Sequence, residues 1–483
     1  MTQPGVTLTE LDGALGILPA TAGKLFALVG TATAGPTNTP ATFARVKDVQ
    51  ASFGAGPLVE AAAYYIERYG KPVLLVRTDH TTAAAVSAVD SHSATGTSAV
   101  TVHSGSTPVD DNELVLAITH DGTVGTVGIT YKTSVDGGRT WSAESALGTA
   151  TSVVFPNEGV TFDLGTGTLK AGESYSATTT ASAWNTTDLG TALDALRNSL
   201  AAWEVVLIVG TLDANAFDVV ELKLAGMQAA GKYHWWIGNV RIPNAGETDA
   251  AYQTALSSFS AAKSTVLGSV WAGACKMTSS VSGRKYRRPT SWAVAARAAA
   301  SKQHVNNADI NLGPLPGVSI RDDNGNPDEH DESIYPGLDD QRFGVLRTWD
   351  GYPGVYINRE RMFAAPTSDF QLVTSRRVMN VALEALRAYF IGRLNRQVLV
   401  SRKTGFLLGS EATEIQLGAE AAMRAALMAE PMASDISFKL SRTDNLLSTK
   451  TLTGEARLVP LATIEQIGVT VGYINPSLQL QAA

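Results

Sequence analysis

Residues 25–30 read LFALVG and residues 73–77 read VLLVR, two apolar runs without polar alternation. A strand that is apolar on both faces belongs inside a sheet covered on both sides. Between the runs lie VKDVQASFG (46–54) and a helical stretch near 57–69 that ends at Gly70. Glycine suits the left-handed position that closes a helix. Strand, helix and strand in that order predict a mainly parallel α/β sheet.

Working outward, the pattern breaks at about residue 81 and resumes at Thr187. From 81 to 182 the chain is rich in Thr, Ser, Gly and Val, and ELVLAITHDG (113–122), GTVGITYKTSVDGG (125–138), VTFDLGTG (160–167) and SYSATTTAS (174–182) read as strands divided by turns. That spacing predicts a small β-sandwich. Beyond it, helices near 187–200, 213–229 and 247–262 alternate with WEVVLIVG (203–210), YHWWIGNV (233–240) and VLGSVWAG (266–273). The reading is one α/β domain, 21–80 with 183–320, carrying the sandwich as an insertion at 81–182.

The remaining segments read more simply. RDDNGNPDEHDESIYPGLDD (321–340) is acidic, bears Pro and Gly, and reads as a linker or loop. Residues 341–462 form the C-terminal α+β domain. It holds a long helix over 374–397, with Met379, Leu383, Leu386, Phe390 and Leu394 on one face. A second helix over 413–430 opens on the capping box TEIQ (413–416) and stops before Pro431. The strands ISFKLS (436–441), GEARLVPL (454–461) and IGVTVGYI (467–474) follow. Residues 463–483 read as a terminal strand and arm. Residues 1–20 are too short and too interrupted by Pro and Gly to bury a core, and read as an extended arm or a frayed terminus.

Composition narrows the function. At 483 residues the chain is long enough for roughly two to four domains, and 44% hydrophobic residues suffice for real cores. A net charge of −7 argues against a general nucleic-acid binder, which needs a basic footprint. The one cysteine, Cys275, excludes an internal disulfide and suits a reducing compartment. The opening MTQPGVTLTELDG lacks the basic and apolar regions of a secretion signal. No apolar run reaches the ~20 residues of a membrane-spanning helix. A soluble product made in the cytoplasm is expected.

Motifs that suggest chemistry read better as structure. GMQAAGKY (226–233) spells a phosphate loop until Tyr233, where Ser or Thr is required to hold Mg²⁺, and it leaves a helix instead of opening one. Gly231 is expected to cap that helix. DDNGNPDEHDES (322–333) has Pro327 and Ser333 where a calcium loop needs Gly and Glu. SVDGGRTW (134–141) fits the S-x-D-x-G-x-T-W pattern of sialidases, but one copy with one arginine, Arg139, predicts a hairpin. In it Asp136 binds turn amides and Trp141 packs underneath. The histidines lack metal-ligand spacing, there is no G-x-S-x-G elbow, and Cys275 reads as a buried structural thiol. No catalytic residue, cofactor or metal is expected, and the chain is not read as an enzyme.

Charge is uneven. Arg284, Lys285, Arg287, Arg288, Arg297 and Lys302 lie in a stretch without an acid, and Arg376, Arg377, Arg387, Arg393, Arg396, Arg402 and Lys403 share theirs with Glu384 alone. The acids gather in 322–340. These are either ordinary solvated surfaces or complementary faces, between neighbouring subunits or against an acidic partner.

PGVTLTELDG (4–13) resembles the P-G-V-x-x-x-E opening of contractile phage tail sheath proteins. AGKLFALVGTATAGPTNTPATFARVKDVQASFG (22–54) and AAAYYIERYGKPVLLVRT (61–78) resemble the blocks that follow it. FGVLRTWDGY (343–352), YINRERM (356–362) and GEARLVPLATIEQIGVTVGY (454–473) are similar to the family's C-terminal region. The resemblance covers some of both ends of the chain and weakens in the middle. It implies a sheath subunit that self-associates into sixfold rings and a helical sheath around a tail tube. Baseplate and tail terminator proteins would be further partners, with no nucleic acid and no membrane. The site would be the virion tail, assembled in the host cytoplasm. Arms exchanged between subunits would place Val6, Leu8, Ile467, Val469, Val471 and Tyr473 in neighbours' sheets. The C-terminal domain would face the tube and present Arg376, Arg377, Arg387, Arg393 and Arg396. A carbohydrate- or receptor-binding tail protein using the sandwich is the alternative, and a glycan hydrolase is the third class.

Overall fold

Alternate residues of the first strand, Leu25–Gly30, serve two different cores. Phe26 and Leu28 join Val205, Leu207 and Ile237 on one side of the sheet, while Ala27 and Val29 join Val206, Ile208 and Trp236 on the other. The computed structural model describes residues 24–244, 246–322 and 325–473. They divide into two compact units, one ending at Glu384 and one beginning at Ala385.

The first unit is built on a six-stranded sheet in the order Gly268–Trp271, Trp235–Asn239, Trp203–Thr211, Leu25–Gly30, Val73–Arg77, Ala41–Phe43. All pairings are parallel except the last. Leu28 sits between Leu207 and Leu75 in register. Helices Pro57–Tyr69 and Thr290–Ala300 contribute to one core, and Thr186–Asn198, Ala214–Ala229 and Asp249–Ala262 to the other. This is the double covering that the apolar runs call for. The helix ends follow side-chain chemistry. Asn185 and Asp188 form a reciprocal capping box. Gly70 takes φ 62° and donates its N–H to the Ile66 carbonyl.

The strands of the parallel sheet come from both sides of residues 81–182, which are all-β. There, Glu113–His120, Thr130–Ser134 and Ser174–Thr180 pair antiparallel in one sheet, and Ser152–Phe155 pairs with Val160–Leu164 in another. Leu116, Ile118, Val153, Phe155, Phe162 and Tyr175 belong to one core, which Tyr286 joins from outside the segment. Thr82 and Ala183 exchange backbone hydrogen bonds of 3.0 Å where the chain leaves and returns. Arg288 donates to Asp110 at 2.7 Å in a buried pair.

Two expectations about the C-terminal half need correction. Residues 321–340 are not a free linker. Asp331 is buried, with Oδ1 accepting from the Thr348 amide at 3.1 Å, and Glu329, His330 and Glu332 are buried beside it. Asp339 pairs with Arg361 at 3.1 Å. Glu329, Asp331 and Asp339 turn inward to donors on other segments, Arg287, Thr348 and Arg361, whereas Glu332 is held within the segment by His330 and the amides of Gly337 and Asp339. Residues 341–384 likewise belong with the first unit. Phe343, Val345 and Phe363 lie in one face's core, and Leu346, Val355 and Ile357 in the other.

Helix Val373–Ile391 runs through the division between the units and ends short of 397. Leu394, expected on its apolar face, lies beyond its end and is exposed. In the second unit, helix Gly409–Leu427 starts four residues before the expected capping box. Thr413 is therefore inside the helix, and its hydroxyl donates to the Gly409 carbonyl at 2.9 Å. A mid-helix threonine bonds backward in this way when it has no free amides to cap.

Candidate assembly surface

The second unit buries one face of a helix on a hairpin. Ile415, Ala419, Met423 and Leu427 recur at helical spacing on Gly409–Leu427. Strand Ala433–Leu440 turns Ala433, Ile436, Phe438 and Leu440 inward and pairs antiparallel with Gly454–Pro460 from Ala433↔Pro460 to Leu440↔Gly454. This sheet has two strands among the described residues, and Gly454–Pro460 is largely exposed. A two-stranded ribbon with open edges has unpaired amides and carbonyls to offer another strand.

The chain then continues through 461–473 without secondary structure and with every residue exposed. Ile467, Val469 and Val471 are 80%, 75% and 89% exposed, and Tyr473 is fully exposed. The expected strand 467–474 is thus unformed over its described part, 467–473, since no strand among the described residues lies beside it. Its apolar residues alternate at period two, which in an extended chain places them on one face. Val6 and Leu8 lie outside the described residues.

The five arginines expected to face a tube fall into two groups. Arg376 and Arg377 are buried, which removes them from any outer surface. Arg376 donates to Asn380 Oδ1 at 2.8 Å, and burial pushes its guanidinium down to about 10. Arg377 donates through Nε to Glu204 Oε1 at 2.7 Å and through Nη2 to the Ser301 carbonyl at 2.9 Å. Burial pushes Glu204 upward, but the adjacent guanidinium outweighs it and holds the carboxyl below its ordinary range. Arg387 and Arg396 are exposed, and Arg393 is half-buried, 3.0 Å from Glu414. Sequence reasoning missed the Arg377–Glu204 pair. The signal available was Glu204 itself, an acid inside the otherwise apolar WEVVLIVG run.

The basic stretch 284–302 is also spent partly inside the protein. Arg287 binds Glu329 at 2.9 Å, Arg288 binds Asp110, and Arg297 donates to the Gly313 carbonyl at 2.7 Å. Asp136 is buried and accepts from the Thr140 amide and hydroxyl at 2.8 and 2.6 Å, with Gly137 and Gly138 at positive φ. Trp141 lies over Gly138 but stays exposed instead of packing underneath. Gly231 follows the end of its helix at φ 77° and donates to the Gln228 carbonyl. Cys275 is fully buried, and burial pushes its thiol up, away from the thiolate.

A crevice of about 450 Å³ opens at the carboxyl ends of the parallel strands, beside Thr31 and Gly210. Arg139 on its wall pairs with Glu113 at 3.0 Å, and Arg287 turns to Glu329, which lies outside the crevice lining. No described helix is long and apolar enough to cross a membrane.

Residues 3–361 match the family model described as DUF2586, N-terminal domain. No curated protein matches the chain. The solved structures similar to it include sheath tail proteins and the sheath of a contractile injection system. One is a sheath tail protein from Listeria innocua, at 13% identity and TM-score 0.45, covering 91% of this chain and 96% of the other. Another is a sheath tail protein from Desulfitobacterium hafniense, at 12% identity and TM-score 0.46, covering 95% and 100%. A third is the contracted PVC sheath complex of an extracellular contractile injection system, at 10% identity and TM-score 0.49, covering 98% of both chains.

Proposed function

The chain belongs to the DUF2586 family, and from that premise we propose that it is the structural subunit of a contractile tail sheath. It stacks as hexameric rings around a tail tube and shortens to drive the tube through a host envelope. The observation that carries this reading is the C-terminal hairpin followed by an exposed, period-two apolar segment. Ile467, Val469, Val471 and Tyr473 have the spacing of a strand and no sheet of their own among the described residues. The open-edged ribbon Ala433–Leu440 with Gly454–Pro460 has the complementary need. Strand addition between copies satisfies both. The ordered motifs at the two ends of the sequence support the same reading.

Residues 81–182 act in this proposal as an outward-facing accessory β-sandwich. Val6 and Leu8 belong to the N-terminal arm that links neighbours. Arg387, Arg393 and Arg396 meet the tube, and baseplate and terminator proteins close the two ends of the polymer. Assembly takes place in the host cytoplasm and the finished sheath belongs to the virion tail. Contraction is a rigid-body change between two packings of the same subunit, driven by the lattice and not by a nucleotide.

Negative-stain microscopy of the purified chain tests the proposal. Rings or tubes of regular diameter are expected. Compact monomers at every concentration and salt condition would overturn it.

A further inference from the structure

His330 lies between two carboxylates on different elements. Its Nδ1 is 2.5 Å from Asp249 at the start of helix Asp249–Ala262, and its Nε2 is 2.9 Å from Glu332. The side chain is 1% exposed. A neutral imidazole has one N–H and one lone pair, so it can donate to one carboxylate only and must turn its lone pair on the other. Both contacts are attractive at once when the ring carries two protons. We infer that His330 is a proton-dependent clasp that fastens residues 325–340 to the N-terminal turn of helix Asp249–Ala262, and that losing one proton releases this strap locally.

The surrounding charges favour this assignment. A polar cavity of about 350 Å³ adjoins the clasp and collects the groups that face it. Glu247 on the preceding loop is bound by Arg241 at 2.6 Å, Glu329 on the strap by Arg287 at 2.9 Å, and Glu113 by Arg139 of the neighbouring hairpin at 3.0 Å. Asp328 pairs with Lys276. Each of these acids has a basic partner, whereas Asp249 and Glu332 take theirs from His330. The phenols Tyr252 and Tyr335 also line the cavity, burial pushing Tyr252 up, and Arg347 and Asp339 lie close enough to Glu332 to interact with its charge. His330 is therefore the group in this cluster that changes charge near neutrality. Burial alone would push the imidazolium down, but its two carboxylate partners outweigh burial and hold it above its ordinary value.

The sign follows. The clasp is fully made below the ordinary histidine range and is lost as pH rises through the raised value. Glu332 Oε1 also accepts from the amides of Gly337 and Asp339, at 2.7 and 3.1 Å, so the loss loosens the turn that bears Ile334 and Tyr335, both exposed.

Hydrogen exchange of the full chain, corrected for intrinsic rates and followed by mass spectrometry from about pH 6 to about pH 9, tests the inference. Protection of peptides within 325–340 is expected to fall by about tenfold or more across that range, while the parallel strands keep theirs. Asp249→Asn removes the need for the second proton, because the neutral ring accepts from the new amide and donates to Glu332. Glu332→Gln does the same from the other side. Either variant should show strap protection that no longer depends on pH. Constant protection in the unaltered protein would overturn the inference without any variant, as would a variant that keeps the pH dependence.

Discussion

Arg377 and Glu204 form a buried ion pair across 173 positions of sequence, the guanidinium Nε donating to the carboxylate at 2.7 Å. It fastens helix Val373–Ile391 to the strand Trp203–Thr211, and Gln303 donates to the other oxygen of the same carboxylate at 3.1 Å. The charges are thus satisfied by several donors and acceptors, the condition under which a buried pair is tolerated.

Arg377→Met strands the Glu204 carboxylate in the core. The expected loss is about 3–5 kcal/mol for the first unit by urea denaturation, with much of it recovered in the double variant with Glu204→Gln. Because Glu204 is held below its ordinary value of about 4.5, its contribution is present above that pH. It is lost as pH falls through the depressed value. The unaltered protein should therefore lose stability on acidification more steeply than the double variant.

Gly418 stands inside helix Gly409–Leu427, and a Cβ there would overlap the Tyr389 hydroxyl, which donates to the Ile415 carbonyl at 3.1 Å. Gly418→Ala should destabilise the second unit by about 1–3 kcal/mol despite alanine's better helix propensity. Adding Tyr389→Phe removes the overlapping oxygen and should recover part of the loss in a thermal melt.

Removing residues 461–483 is expected to leave a folded, soluble chain that no longer forms rings or tubes, and removing residues 1–18 should do the same. Circular dichroism checks the fold, and microscopy the assembly. Normal tubes from either truncation would sink the arm-exchange reading.

Tube contact is best tested at Arg387 and Arg396, which are exposed. Reversal of Arg393 also sets a new acid against Glu414, a surface effect of only about 0–1 kcal/mol that would blur the result. Arg387→Glu with Arg396→Glu should polymerise alone yet fail to assemble around a tube. Loss of sheath-only polymer would assign these arginines to contacts between subunits.

Excising residues 83–182 and bridging the gap with a short Gly linker should preserve assembly. The unaltered remainder would expose Tyr286 and leave Arg288 without Asp110. Adding Tyr286→Ser and Arg288→Gln should therefore raise the melting temperature of the excised protein. Aggregation of both forms would instead make the β region part of the lattice.

The parallel sheet was legible because its strands are apolar on both faces, and only a doubly covered sheet accepts that. Helix ends at Gly70 and Gly231 were legible because the local backbone demands glycine there. The misreadings came from long-range chemistry. TEIQ has the letters of a capping box, yet no sequence window shows that four earlier residues already turn. Arg376 and Arg377 look like their exposed neighbours until Asn380 and Glu204 are in place. Residues 321–340 look solvated because Arg287, Lys276, Asp249 and Arg361, which bind them, are distant in the chain.

The exchanged hydrogen bonds of Thr82 and Ala183 have a practical consequence. A directly paired antiparallel couple brings its Cα atoms to about 5.5 Å, so the chain departs and re-enters the α/β body almost at one point. Such a port accepts a graft. A foreign fold with adjacent termini could be spliced there without redirecting the host chain, provided it covers Tyr286 and supplies a carboxylate for Arg288. Every subunit of a polymer would then carry its cargo at one fixed repeat.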